Sequence, residues 1–378
     1  MKKSFFLMLA ALGAVVMVVS GCSARRNYNV ALLGDIHYDD ARYHDYSQFG
    51  MTPEGRKAGR KEQLNKDGFY SFRSSTLWMT KYRGDSRGHL PRNMAMWKKY
   101  MPELLKECGR YARKKGSLYA LQLGDMIHGD CGHLHLHKAN LADALAVMNK
   151  YFDCPVLPVC GNHDTRGPFG QEAWDKVVNP YIDKTLKKVS RKNANYFFNI
   201  GPDFYYVHDM MNPNLAFLEK ALEKNRNARY KFFISHAPLI PEARRHSGEI
   251  LSDDYAQLFA LLEKSEVIVL AGHTHWPSMV EYKNPANGRR MSQFIINSTV
   301  RYPDKQLKFK PGTTLANGKI PGYGRYNLPL FDKYYAGKIK TVLSTNGTGY
   351  GLLRVGDDGV FVDYRNFSQE KIHTYKLR

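Results

Sequence analysis

Five short stretches place nitrogen and oxygen ligands directly after apolar runs: Gly34-Asp35-Ile36-His37, Gly124-Asp125, Gly161-Asn162-His163-Asp164, Ser235-His236 and Gly272-His273-Thr274-His275. A set that mixes imidazole nitrogens with carboxylate oxygens suits Zn²⁺, Mn²⁺ or Fe far better than Ca²⁺ or Mg²⁺. Asp35 and His37 are two residues apart, and so are His273 and His275. On a continuing strand each pair would share one face, where it can grip one ion or two neighbouring ions. The glycines let the backbone turn sharply where a side chain must face inward.

Residues so distant in sequence meet only if the fold gathers them. The runs Tyr28-Leu33, Leu118-Leu123, Val156-Cys160, Tyr230-Ile234 and Val267-Ala271 have the apolar, β-branched and aromatic character of buried strands. Helical patterns lie between them at Met94-Lys114 (interrupted near Pro102), Ala139-Phe152, Gln171-Val189, Leu215-Lys224 and Asp253-Leu262. Alternation of strand and helix defines an α/β fold, in which strand C-termini open onto a common crevice. Arg290-Asn297, Tyr350-Val355 and Val360-Asn366 are strands without intervening helices, so two sheets pack in one domain. Residues 38–90 and 301–347 lack this rhythm and are expected to be insertions around the site, the second at the rim of the crevice.

The ordered series of motifs resembles the calcineurin-like metallophosphoesterase family, from Asp35 to His275 and into the final strands. The resemblance implies a four-layer sandwich, with two mixed sheets flanked by helices. It further implies that Asp35, His37, Asp125 and His275 bind one divalent metal ion while Asp125, Asn162, His236 and His273 bind a second, Asp125 bridging them. A metal-bound hydroxide would then attack a phosphate ester, because paired cations activate water and polarise a phosphoryl group. His163 would give a proton to the leaving oxygen, with Asp164 holding its other ring nitrogen. The purple acid phosphatase branch has Asp-x-Gly first and a tyrosine three residues after the bridging aspartate. His37 and His128 stand at those two positions here, which points to the divalent-metal phosphatase and phosphodiesterase branches.

Four histidines, His128, His133, His135 and His137, follow Asp125 closely. They could form a third metal site, contact substrate through His128, or be ordinary loop histidines. Segment 301–347 holds nine Lys or Arg against two Asp, with five interleaved tyrosines, and the whole chain carries a formal charge of +21. Such a surface attracts phosphate, nucleic acid or anionic headgroups without choosing among them.

Residues 1–21 have the form of an export signal, since Lys2 and Lys3 precede an apolar run from Phe5 to Val19 that ends in small residues. Val19-Ser20-Gly21-Cys22 resembles the lipobox of bacterial lipoproteins, in which the cysteine is acylated and becomes the new N-terminus. Lipidation at Cys22 would anchor residues 22–378 to a membrane of the cell envelope without spanning it. Cys108, Cys131, Cys154 and Cys160 remain, as disulfides of undetermined pairing or as free thiols.

Two classes of function therefore compete. One is a dinuclear metal-dependent hydrolase of phosphate mono- or diesters, its substrate a small molecule or a headgroup. The other is a non-catalytic, envelope- or nucleic-acid-binding protein on the same scaffold, which does not require His163 beside the ligands.

Overall fold

The computed structural model describes residues 26–44, 83–131, 133–167, 169–187, 189–240, 255–275, 277–299, 313–314, 335, 337–344, 347–366 and 371–378. Cys22, the export signal and most of the segments 38–90 and 301–347 lie outside them.

The first sheet has the order β15-β14-β13-β1-β2-β3. Its centre is β1 (Tyr28–Leu33), parallel to β2 (Ser117–Gln122), which is parallel to β3 (Val156–Pro158). β13 (Gly349–Gly356), β14 (Gly359–Asn366) and β15 (Lys371–Lys376) extend it antiparallel. Helices α1 (Arg83–Lys114), α2 (Leu134–Tyr151) and α3 (Gly170–Thr185) cover its outer face.

The second sheet has the order β11-β12-β9-β10-β8-β7-β6-β5-β4. Parallel strands β6 (Asp203–His208), β7 (Lys231–Ser235), β8 (Ile268–Ala271) and β10 (Arg290–Ile295) form its middle. Around them, paired antiparallel, are β4 (Ser190–Lys192), β5 (Asn195–Ile200), β9 (Ser278–Lys283), β11 (Thr313–Thr314) and β12 (Ile339–Ser344). Strand alternation shows how it is buried on both faces. Tyr205, Val207, Phe232, Ile234, Ile268 and Leu270 join the core shared with the first sheet. Phe204, Tyr206, Phe233 and Val269 point the other way, against α4 (Leu215–Lys224) and α5 (Tyr255–Ser265). The result is the four-layer helix, sheet, sheet, helix sandwich.

Three expectations need correction. α1 continues through Pro102 because Trp97, Met101, Leu104, Leu105 and Cys108 bury one face against the core, outweighing the lost hydrogen bond. It also begins at Arg83, inside the segment expected to be an insertion. The other such segment contributes β11 and β12 to the second sheet, β12 pairing with β9 from Ile339↔Tyr282 to Ser344↔Ser278. The four cysteines at 108, 131, 154 and 160 are free thiols, with all but Cys154 buried.

Candidate metal centre

The strands stop before the ligands do. β1 ends at Leu33 and β8 at Ala271, and Asp35, His37, Asp125, His273 and His275 all have positive φ, between 26° and 70°. Side chains rarely adopt this region, and such backbone clusters where geometry is imposed by function. The expected placement of each pair on a continuing strand is thus overturned: left-handed turns, not pleat alternation, aim these residues. The two loops nevertheless stay in register, through hydrogen bonds from Asp35 N to Gly124 O (3.1 Å), His37 N to Asp125 O (3.0 Å) and Tyr38 N to Met126 O (2.9 Å). A parallel ladder therefore runs on past β1 and β2 and carries Asp35 and His37 alongside Asp125.

Glycine is required here chiefly for space. A Cβ on Gly124 would stand 2.2 Å from His236 Nδ1, and one on Gly161 would stand 2.4 Å from Asp125 Oδ1. Both ligands lie against bare backbone.

Two groups form. Asp35, His37 and His275 bring their donor atoms within 4.8 Å of one another, and so do Asp125, His236 and His273. His37 Nε2 is 3.3 Å from His275 Nε2, which is 3.3 Å from Asp35 Oδ1. In the other group His236 Nε2 is 3.2 Å from Asp125 Oδ1 and 3.1 Å from His273 Nδ1. Asp125 faces both, its Oδ2 lying 3.8 Å from His37 Nε2. Asn162 is buried beside His163, and its Oδ1 has no hydrogen-bond partner among the described residues.

These donors fit a metal. The Leu123 carbonyl can only accept, so its 2.8 Å contact fixes a proton on His236 Nδ1 and leaves the Nε2 lone pair facing Asp125 Oδ1. A cation belongs between them, either the proton that charges the ring or a metal ion that displaces it. Burial opposes charge on His236, yet Asp125 and Asp35 outweigh it and raise its pKa to about 10. For Asp125, too, burial favours the neutral acid, but His236 and His273 draw it below the ordinary range. Separations of 3.1–3.3 Å between donors match the edges of about 3.0–3.4 Å that ligand bonds near 2.1 Å produce.

His163 stands beside Asp125, and its ring partners differ from the expected Asp164. Its backbone N–H donates to Asp125 Oδ1 (2.8 Å), and Nδ1 donates to the His128 carbonyl (2.8 Å). Nε2 accepts from Arg166 Nη1 at 2.8 Å, since a guanidinium can only donate. The Asp164 carboxylate accepts instead from the backbone N–H groups of Gly161 (2.8 Å) and Ile127 (3.0 Å). Burial, reinforced by Asp125, pushes its pKa up to about 8. Its geometry is that of a brace tying two ligand loops together, because the turn after Gly161 directs it inward, away from the His163 ring.

The cluster after Asp125 divides. The His128 ring lies at the site, with its centroid 5.0 Å from His163 and 5.8 Å from His37. His137 is in the core, bonded through Nε2 to the Asp164 carbonyl (2.8 Å), and burial lowers its pKa to about 4. His133 and His135 begin α2 away from the ligands.

Sequence reasoning missed the buried charges beneath His163. Arg166 is 2% exposed, donates to the His128 carbonyl through Nη2 (2.9 Å) and pairs with Asp130 through Nε (2.7 Å). His44, bonded to Asp39 at 2.5 Å, contacts the Asp130 carbonyl (3.1 Å) and closes the group. The only local signal was Arg166 three residues after His163. At the other side, Thr299 Oγ1 donates to Asp35 O (2.9 Å) and Thr348 Oγ1 to Thr299 O (2.6 Å), so both ends of segment 301–347 are fastened beside Asp35.

Two facing sheets with His and Asp gathered at their strand ends define the class, a metal-binding α/β sandwich. The chain belongs to the calcineurin-like phosphoesterase family, whose model matches residues 28–277. Among solved structures, PhoD is similar with 11% identity and a TM-score of 0.52, over 94% of this chain and 69% of that one. GAP50, the anchor in the inner membrane complex of Plasmodium, gives 13% and 0.50, over 94% and 89%. A dimetal phosphatase from Danio rerio gives 13% and 0.49, over 94% and 100%. No curated protein matches. Such low identities show a shared fold. Family and cluster together support a metal-dependent phosphoester hydrolase in general terms.

Proposed function

We propose that the chain hydrolyses phosphate esters at a dinuclear centre, with Asp35, His37, Asp125 and His275 holding one ion and Asp125, Asn162, His236 and His273 the other. The observation that carries this reading is the Asp125 carboxylate, which turns one oxygen to each histidine group. When bound, two divalent cations such as Mn, Zn or Fe supply Lewis acidity and a nucleophile from water at neutral pH. The chain's own residues do the rest. The Leu123 carbonyl fixes the His236 tautomer, Asp164 braces the loops, and His163 stands over Asp125 with Nε2 3.9 Å from Oδ2. We assign His163 to the leaving-group side, where Nε2, once it no longer accepts from Arg166, takes a proton from solvent and delivers it to the leaving oxygen; His128 lines the same side for substrate.

Apo protein supplied with Mn²⁺, Zn²⁺ or Fe should hydrolyse members of a mono- and diester panel. Asp125→Asn should lose bound metal and roughly a thousandfold in turnover together, since it weakens the shared ligand. Full metal content with normal turnover in that variant would end the two-ion reading and favour a non-catalytic scaffold. His163→Ala should keep its metals and lose rate mainly on alkyl esters, which need protonation on departure. Equal loss on nitrophenyl esters would assign it to phosphoryl charge instead. Acylation at Cys22 belongs to the same proposal: Cys22→Ser made in the native host should release the protein from membranes, and among the described residues no helix is long and apolar enough to cross one.

A further inference from the structure

The end of the sheets opposite the metal centre carries a different kind of charge. Lys231 opens β7 and His236 follows its end, so the two poles are roughly 16 Å apart along that strand alone. At the far pole a groove of about 430 Å³ between the two sheets is lined by Lys283, Arg290, Lys340, Lys376 and Arg378 against Glu281. Arg378 also lines the adjoining groove with Arg229 and Lys231 against Glu266, and Lys231 in turn lines the next, with Lys220, Lys224, Arg226 and Lys264 against Glu219 and Glu223. The shared residues make these one continuous belt.

Its cations are poorly compensated. Lys220, Lys264, Arg290, Lys340 and Lys376 are exposed and form no ion pair among the described residues. Arg378 donates to the backbone carbonyls of Glu266 (2.5 Å) and Arg290 (3.3 Å), not to a carboxylate. Burial lowers the pKa of Lys231 and of Arg378 by more than Glu266 raises either, and the neighbouring Arg378 and Arg290, respectively, add a smaller repulsion. Crowded like charge is destabilising until an anion meets it.

The chain enters the fold at this pole. Arg229 Nη2 donates to the Arg26 carbonyl (2.7 Å), while Asp357 takes bonds from both Arg26 and Arg229. Cys22 lies only four positions before Arg26, a reach of at most about 14 Å.

We propose that the belt is a docking surface for the anionic headgroups of a lipid bilayer, which holds the metal centre facing away from that bilayer. Each basic side chain near such a surface adds about fivefold to binding, the charges act jointly, and salt screens them. A centre held outward takes its phosphate esters from solution rather than from the lipids beneath it. The orientation rests on acylation at Cys22; the docking does not.

The test uses the chain from residue 22 carrying Cys22→Ser, with no acyl group attached, and vesicles of phosphatidylcholine with or without phosphatidylglycerol. The wild-type surface should bind the phosphatidylglycerol vesicles and release them as salt rises. Arg290→Glu with Lys340→Glu and Lys376→Glu should weaken binding at least about a hundredfold. Lys99→Glu with Lys106→Glu and Lys138→Glu, which removes equal charge from α1 and α2, should leave binding within about threefold, and neither set should alter hydrolysis of a soluble nitrophenyl ester. Equal losses in both sets would reduce the belt to general surface charge. No vesicle binding by wild type, tighter binding to duplex DNA, or displacement by inorganic phosphate at low concentration would each overturn the proposal. In native membranes an amine-acylating reagent should modify Lys99 and spare Lys340 and Lys376 until detergent is added; equal modification before detergent would overturn the orientation.

Discussion

The two ends of the same strands handle charge in opposite ways. At the C-terminal ends, Asp35, Asp125 and His236 are almost wholly buried, opposite in character and interlocked, on backbone bent into left-handed turns. At the opposite pole, Lys340 near the start of β12 and Lys376 at the end of β15 are exposed and alike in sign, with negative φ. Buried charge must be matched by a partner or a cation, because removing it from water costs several kcal/mol. Exposed charge in water carries little such cost. A basic surface therefore leaves the local structure undisturbed, whereas the centre requires strained turns and bare glycines.

The sharpest contrast in stability should come from Arg166. Its replacement by Met leaves Asp130 buried without its cation and removes the donor to His163, so unfolding in urea should show a loss of about 3–5 kcal/mol. Arg166→Lys should recover part of this. A loss under about 1 kcal/mol would show that the buried group is not held by charge pairing.

Next in size is an effect of acid. Burial lowers the His208 pKa from 6.5 to about 4, so the folded state holds this ring neutral. Its contribution is fully present above the unfolded value of 6.5 and is lost as pH falls from there toward 4. Over that window the loss amounts to about 3 kcal/mol. Urea titrations at pH 7 and pH 4.5 should show a smaller difference for His208→Phe than for wild type. The same difference in both would remove His208 from the account of acid sensitivity.

The smallest change belongs to the other pole. Lys376→Ala should shift unfolding by no more than about 0.5 kcal/mol, since no ion pair among the described residues is lost. A drop several times larger would mean that the belt supports the fold, and that the contrast between the poles is weaker than drawn.

Residue types and apolar periodicity determined the α/β class with two packed sheets and which side chains could serve as ligands; the four-layer order came from the family resemblance. Runs such as Tyr28-Leu33 and Val267-Ala271 have nowhere to go but a buried sheet, and each is followed by Asp or His. β4, β5, β6, β9, β11, β12 and β15 were not anticipated, although Gly201-Pro202 between β5 and β6 and Asn284-Pro285 after β9 are turn signals that could have found three of them. Pattern also misjudged the continuity of α1, because the packing of its apolar face on β1, β2 and β13 is not encoded near Pro102. Tertiary structure alone decided how the ligands meet. The turns after β1 and β8 depend on the ladder that Asp35 and His37 share with the loop of Asp125, and on Gly124 and Gly161 giving up their side-chain space to His236 and Asp125. It also decided that Arg166 rather than Asp164 stands at the His163 ring, and that Arg26 meets Arg229 across 203 residues. A hydrogen bond forms between groups that packing brings within about 3 Å, whatever their distance along the chain.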